Sequence, residues 1–181
     1  MKIAITGGIA EGKSTVLGYL RDLGYSTASA DEVAREVFTQ PAVQAALQAH
    51  LRVEGPVGRE WLRKRVSESP EARRGVNRIM HRSILDALLK HPATFFEVPL
   101  LIETCLQGRF NRVWVVTCGP NEQARRLVER IGNSEEAQKM LATQLPSGAK
   151  CVFADEIVRT NTTELSVREY VLAAVASEFG K

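Results

Sequence analysis

Residues Gly7-Gly8-Ile9-Ala10-Glu11-Gly12-Lys13-Ser14 fit G-x-x-x-x-G-K-[ST] with no mismatch. Glycines admit positive φ and close backbone approach, so successive N–H groups can converge on phosphate oxygens at the positive end of a following helix. Such a loop holds a triphosphate. Lys13 would reach the β- and γ-phosphates as a point charge, from the solvent side, and the Ser14 hydroxyl would take a place around Mg²⁺. Glu11 brings negative charge close to phosphates, so its side chain is expected to turn outward to solvent. A second carboxylate, Asp31, closes the run "YSTASAD". It could accept the proton of an acceptor hydroxyl or help hold Mg²⁺, or it could simply cap the next helix, with Glu32 in the first turn.

These groups need a scaffold, and the hydrophobic pattern supplies one. Lys2 to Ile5 reads as a buried strand, and Ser14 to Leu23 as a helix with Val16, Leu17, Leu20 and Leu23 on one face, stopping at Gly24. "YSTASAD" is a second short strand, followed by a helix through Val33, Val37 and Phe38. From Pro41 to His91 the pattern is helical and charged, with Gly-Pro and Ser-Pro punctuation and no strand, as in an inserted helical subdomain. "TFFEVPL" and "RVWVVTC" are continuous apolar runs, the signature of parallel strands covered on both faces. After Pro120 come an Arg-rich helix and a second helical stretch from Ser134, then a short strand in "FADEIVRTN". The last helix is read with Leu165, Val167, Val171, Leu172 and Val175 inward, and Trp61 and Trp114 are expected in the core. Strands alternating with helices predict an α/β, doubly wound parallel sheet, in which the carboxyl ends of the strands, and so Asp31, gather around the ligand crevice.

Bulk properties narrow the partners. The chain has 181 residues, 44% of them hydrophobic, enough for one domain with a real core. A net charge of +3 suits a small anionic ligand but falls short of a basic stripe, and 6% aromatic residues make no stacking platform, so nucleic acid is not expected. No signal-peptide pattern precedes the first strand, and no apolar run approaches the roughly 18 to 20 residues of a membrane span, which points to a soluble, cytoplasmic protein. Cys105, Cys118 and Cys151 are widely spaced and read as reduced thiols; neither they nor His50, His81 and His91 show zinc-ligand spacing. Three classes remain open: a kinase acting on a small molecule, an NTPase switch or motor, and a nucleotide-binding module without turnover. The second usually has an apolar strand ending in Asp, and neither "RVWVVTC" nor "TFFEVPL" does, Glu97 being the nearest carboxylate.

Taken together and in order, the motifs resemble those of the dephospho-CoA kinase family along nearly the whole chain. "TGGIAEGKS" is similar to the family's TGGIGSGKS loop, and "SAD" at 29 to 31 to its D-A-D, with Asp31 on the catalytic aspartate. "NRIMHRSI" resembles L-x-x-I-x-H-P, "VPLLIE" resembles P-L-L-F-E, and "QARRLVER" resembles the Q-x-x-R-L-x-x-R lid helix, which puts Arg126 and Arg130 on one face. "ATQ" and "ADEIVRTN" resemble the family's A-x-Q and A-D-x-V-I-x-N tail.

The resemblance implies a P-loop kinase fold of about five strands that transfers the ATP γ-phosphate to the ribose 3′-hydroxyl of dephospho-CoA, the last step of coenzyme A synthesis. It implies a nucleotide-binding core at 1–31, 92–120 and 151–181, a helical CoA-binding insertion at 32–91 and a lid at 121–150. Asp31, Lys13 and Arg130 are then catalytic; Gly8, Ile9, Ala10, Glu11, Gly12, Lys13, Ser14, Thr15, Arg126 and Asn161 bind ATP; Asp31, His81, Leu101 and Glu103 bind the acceptor; Ser14 serves Mg²⁺. Read without the family, Arg126 and Arg130 could be a solvated face paired with Glu122 and Glu129, Glu103 a backbone partner, and Asn161 a turn residue. A monomer or weak homo-oligomer is expected.

Ser29, Arg82 and Ala10-Glu11 depart from the pattern, and no glycine follows Asn161. The departures spare Lys13, Ser14, Asp31, Arg126 and Arg130 and bear on the acceptor. A related nucleoside or nucleotide kinase, or a nucleotide-binding protein without turnover, are the alternative readings.

Overall fold

The structure is a computed structural model describing residues 1–180. Five parallel strands form one sheet: β1 (Ile3–Thr6), β2 (Thr27–Ser29), β3 (Phe95–Glu97), β4 (Arg112–Thr117) and β5 (Glu156–Arg159), in the order β2-β3-β1-β4-β5. Central strands have no solvent face, which is why β1 is buried at every residue and β4 at all but Arg112. In register, Ile5 lies between Glu97 on one side and Trp114 on the other. The chain passes from β3 to β4 across β1, so the strand order switches at β1. That crevice, beyond the carboxyl ends of the strands, is where α/β sheets receive ligands.

Helices α1 (Lys13–Asp22) and α9 (Glu164–Phe179) pack against each other over the sheet. Val16, Leu17 and Leu20 of α1 and Val167, Val171, Ala174 and Val175 of α9 join Ile3, Ile5, Phe95, Trp114 and Val158 in the core. Phe95 lies edge-on to Trp114 with ring centroids 5.4 Å apart, and Tyr25 stacks on Phe179. Each such large side chain stabilises the fold by roughly 1.5–3 kcal/mol through burial.

Two core expectations are corrected. Leu165 and Leu172 are 67% and 52% exposed: at about 100° per residue they fall opposite the stripe of Val167, Val171 and Ala174. Trp61 is exposed, because its helix α4 (Arg59–Glu68) has a single buried position, taken by Leu62. Trp114 is fully buried as expected.

The chain divides into two compact units, Met1–Ser29 with Pro92–Lys181, and Ala30–His91. The first includes the segment read as a lid, which folds as α6 (Pro120–Ile131), α7 (Ser134–Leu141) and α8 (Ser147–Cys151). In the second, α2 (Ala30–Thr39), α3 (Pro41–Leu51) and α4 all pack on the long α5 (Pro70–Lys90). Helix α5 starts where the sequence dictates: Ser69 accepts the Ala72 N–H at 3.2 Å and Pro70 occupies the first turn. The boundary at Ala30 puts Asp31 in the helical unit. All three cysteines are free thiols. Among the described residues, no helix is long and apolar enough to cross a membrane.

Candidate active site

The loop from Gly7 to Gly12 joins β1 to α1. Gly12 has φ +90° and, having no side chain, caps α1 through its backbone alone, its carbonyl accepting the N–H groups of Thr15 at 3.1 Å and Val16 at 3.2 Å at the helix's positive end. Lys13 does not extend into solvent as expected; its ammonium is buried and donates to the carbonyls of Gly7 at 3.1 Å and Gly8 at 2.8 Å. An ammonium drawn into a loop must find acceptors, and these two carbonyls supply them. Ser14 and Thr15 are exposed at the start of α1.

Glu11 reverses its expectation. It is wholly buried, with Oε2 accepting the Gly8 N–H at 2.5 Å and Oε1 accepting the Thr117 hydroxyl at 3.0 Å. The curl of the loop aims the side chain at the carboxyl end of β4, where two donors replace water. Ile9 is gripped at both peptide groups: Gln123 of α6 donates to its carbonyl at 3.0 Å, and Gln144 accepts its N–H at 3.1 Å. A Cβ at Gly8 would stand 2.3 Å from the Gln123 amide nitrogen and would push it off the Ile9 carbonyl.

Thr160, just past β5, donates to the Glu11 carbonyl at 2.7 Å and accepts Arg126 at its own carbonyl at 2.6 Å. Arg126 also bonds Glu122 at 2.8 Å. Beside them opens a cleft of about 490 Å³, lined by Cys118, Gly119, Glu122, Arg126, Asn161 and Thr162 among others. Hydrogen bonds from Arg125 and Arg126 pull the Glu122 carboxyl down to about 2, so it carries a negative charge throughout the physiological range. Burial pushes the Cys118 thiol up, against the pull of the Arg126 charge.

The structure thus brings Arg126 and Asn161 to one cleft and joins them through Thr160 to the phosphate loop. Arg130, in the last turn of α6, is exposed and makes no hydrogen bond or ion pair among the described residues; Glu129 pairs with Arg125 instead. Glu103 pairs with Lys150 at 2.9 Å. The Leu101 side chain is fully buried and has no surface to offer an acceptor, so any part it plays comes from packing its segment. Asp31 and His81 are exposed on α2 and α5 of the helical unit. Helix α2 begins at Ala30, one residue before Asp31, which removes the cap reading: Asp31 is a first-turn residue with no side-chain hydrogen bond among the described residues.

The model of the dephospho-CoA kinase family matches residues 1–166. The chain belongs to that family. The dephospho-CoA kinase of Streptococcus mutans is 37% identical over 176 aligned residues, covering 89% of each chain. A crystal structure from Thermus thermophilus superposes with a TM-score of 0.80 at 29% identity, over 99% of this chain and 97% of that one. A shikimate kinase from Acinetobacter baumannii shares the fold, with a TM-score of 0.59 at 15% identity over 99% of this chain and 95% of its own. Membership in the dephospho-CoA kinase family makes the chain an ATP-dependent transferase of coenzyme A biosynthesis.

Sequence reasoning left out Thr117, Gln123, Gln144, Lys150 and Thr160 as site residues. Two had a signal, because Gln123 and Gln144 each stand in a family motif, "QARRLVER" and "ATQ". Thr117 ends β4 and Thr160 follows β5, positions that an α/β sheet turns toward its ligand crevice. Lys150 had none.

Proposed function

We propose that the chain moves the γ-phosphate of ATP onto the ribose 3′-hydroxyl of dephospho-CoA, with the triphosphate on the loop of residues 7–14. The observation that carries this reading is the continuity of that loop, through Glu11 and Thr160, with the cleft walled by Arg126 and Asn161. The loop N–H groups other than those of Gly8 and Ile9, which Glu11 and Gln144 take, hold the β- and γ-phosphates together with Lys13, and the adenosine lies toward Asn161. The Ser14 hydroxyl is exposed and makes no hydrogen bond among the described residues, which suits it to Mg²⁺, an ion that takes its other ligands from phosphate and water. Bound there, Mg²⁺ supplies charge neutralisation at the phosphates.

Asp31, two residues beyond the end of β2, is the general base. Its carboxylate takes the proton of the 3′-hydroxyl as that oxygen bonds to the γ-phosphorus. The bond from the γ-phosphorus to the bridging oxygen breaks, and ADP leaves with its charge matched by Lys13. Arg130 serves the charge on the transferring group when segment 121–150 closes, a closure that also excludes competing water. The helical unit, with His81, takes the CoA side of the acceptor. We read the protein as cytoplasmic.

Acceptor-dependent ADP release tests the proposal. Release that requires dephospho-CoA, with phosphate appearing on its 3′-oxygen, is the expected result. Release that requires another nucleoside or nucleotide, or nucleotide binding with no acceptor dependence, would overturn it.

A further inference from the structure

We propose that Glu11 is a positioning residue, whose buried carboxylate ties the phosphate loop to the end of β4 and sets the loop's curl for the triphosphate. The inference rests on the reading that residues 7–14 hold ATP. A carboxylate beneath an anion site opposes binding unless its charge is satisfied and it does some structural service in return. Both conditions hold at Glu11. It is wholly buried, and each oxygen has a donor: the Gly8 N–H on Oε2 and the Thr117 hydroxyl on Oε1.

Its backbone is held as well, since the Glu11 carbonyl accepts the Thr160 hydroxyl at 2.7 Å. The residue is therefore fixed at both ends, by β4 through its side chain and by the segment after β5 through its main chain. Thr117 carries the tie onward, accepting the Gly119 N–H at 3.1 Å, and Gly119 lines the cleft. One path of hydrogen bonds thus runs from the first turn of the loop to the cleft wall. The serine usual in the family's loop ends one bond beyond Cβ, whereas the longer glutamate reaches Thr117 and Gly8 at once. The role needs side-chain length and one polar atom facing each partner, so glutamine, with its carbonyl oxygen for the Gly8 N–H and its amide donating to the Thr117 hydroxyl oxygen, should largely replace it.

The test measures ATP Kd by titration, with kcat and dephospho-CoA KM alongside, in the full chain. Glu11→Ala should weaken ATP about tenfold, equal to about 1.4 kcal/mol, and leave dephospho-CoA KM within about twofold. Glu11→Gln should stay within about threefold of wild type for ATP. Thr117→Val, which cuts the tie from the strand side, should weaken ATP about fivefold, and Glu11→Ala with Thr117→Val should be no worse than Glu11→Ala alone. Unchanged ATP affinity in Thr117→Val, additive losses in the double variant, or equal losses in Glu11→Gln and Glu11→Ala would each overturn the proposal. Should Glu11→Ala not fold, Thr117→Val and Glu11→Gln decide by themselves. Lys13→Ala separates the two readings: if it binds ATP like wild type, the loop does not hold the triphosphate, whereas loss in Lys13→Ala with none in Thr117→Val sinks the Glu11 role alone.

Discussion

The ammonium of Lys150 is fully buried 2.9 Å from Glu103 Oε1 and also donates to the Pro99 carbonyl at 3.0 Å. Glu103 accepts the Leu145 N–H as well, at 3.1 Å, so one carboxylate fastens the end of α8, through Lys150, and the segment before that helix to the turn after β3. Removing one partner of a buried ion pair strands the other charge, which costs far more than the pair itself contributes. Lys150→Met should lower stability by about 3 kcal/mol in urea unfolding, and Glu103→Leu added to it should restore part of the loss. A loss under about 1 kcal/mol in Lys150→Met would show that the pair is not the fastening described.

The same pair predicts an acid limb. Burial pushes the Glu103 carboxyl up, but the hydrogen bond from Lys150, those from the backbone and the lysine's charge together outweigh it, so its value in the fold lies below the ordinary 4.5. The unfolded chain therefore binds the proton first as pH falls. The contribution of Glu103 is complete above about 4.5 and drains away as pH drops through the lower folded value. Glu103→Gln should flatten the stability profile below pH 4.5, as followed by urea midpoints against pH. An unchanged acid slope would place that loss on other carboxylates.

Arg126 and Arg130 lie on one helix but are held differently. Arg126 is tied down by Thr160 and Glu122, whereas Arg130 is exposed at the helix end with no partner among the described residues. Arg130→Ala should leave the melting temperature unchanged and lower kcat more than it raises dephospho-CoA KM, because its charge is wanted most in the transition state. Steady-state kinetics decide this. A rise in acceptor KM alone would make Arg130 a uniform-binding residue.

How far the sequence discloses the fold depends on the range of the forces involved. Strands such as "RVWVVTC" are legible because burial on both faces leaves an unbroken apolar run, and the loop at residues 7–14 because its chemistry is local. Leu165 and Leu172 were misplaced because both faces of α9 carry apolar residues, so composition gave no phase. Glu11 was misread for a different reason. Its partners are Gly8, three residues away, and Thr117, 106 residues away, and no local pattern announces a donor waiting at the end of another strand. Ala10 holds φ +62° inside the loop, a left-handed backbone that glycine adopts without strain, which gives a physical reason for the glycine usual there. The Lys150–Glu103 pair joins two segments that carried no shared signal.

The account stands or falls on Asp31 as the base. Asparagine there keeps the size and removes the carboxylate, while the lost charge in the first turn of α2 is worth only about 0.3–1 kcal/mol. The decisive measurement is kcat of Asp31→Asn in the dephospho-CoA-dependent assay, taken with its melting temperature and ATP affinity. The account predicts a fall of about 10²-fold or more in kcat, with the melting temperature nearly unchanged and ATP bound as by the wild type. An Asp31→Asn protein that is equally stable and retains kcat within about tenfold of wild type would contradict it.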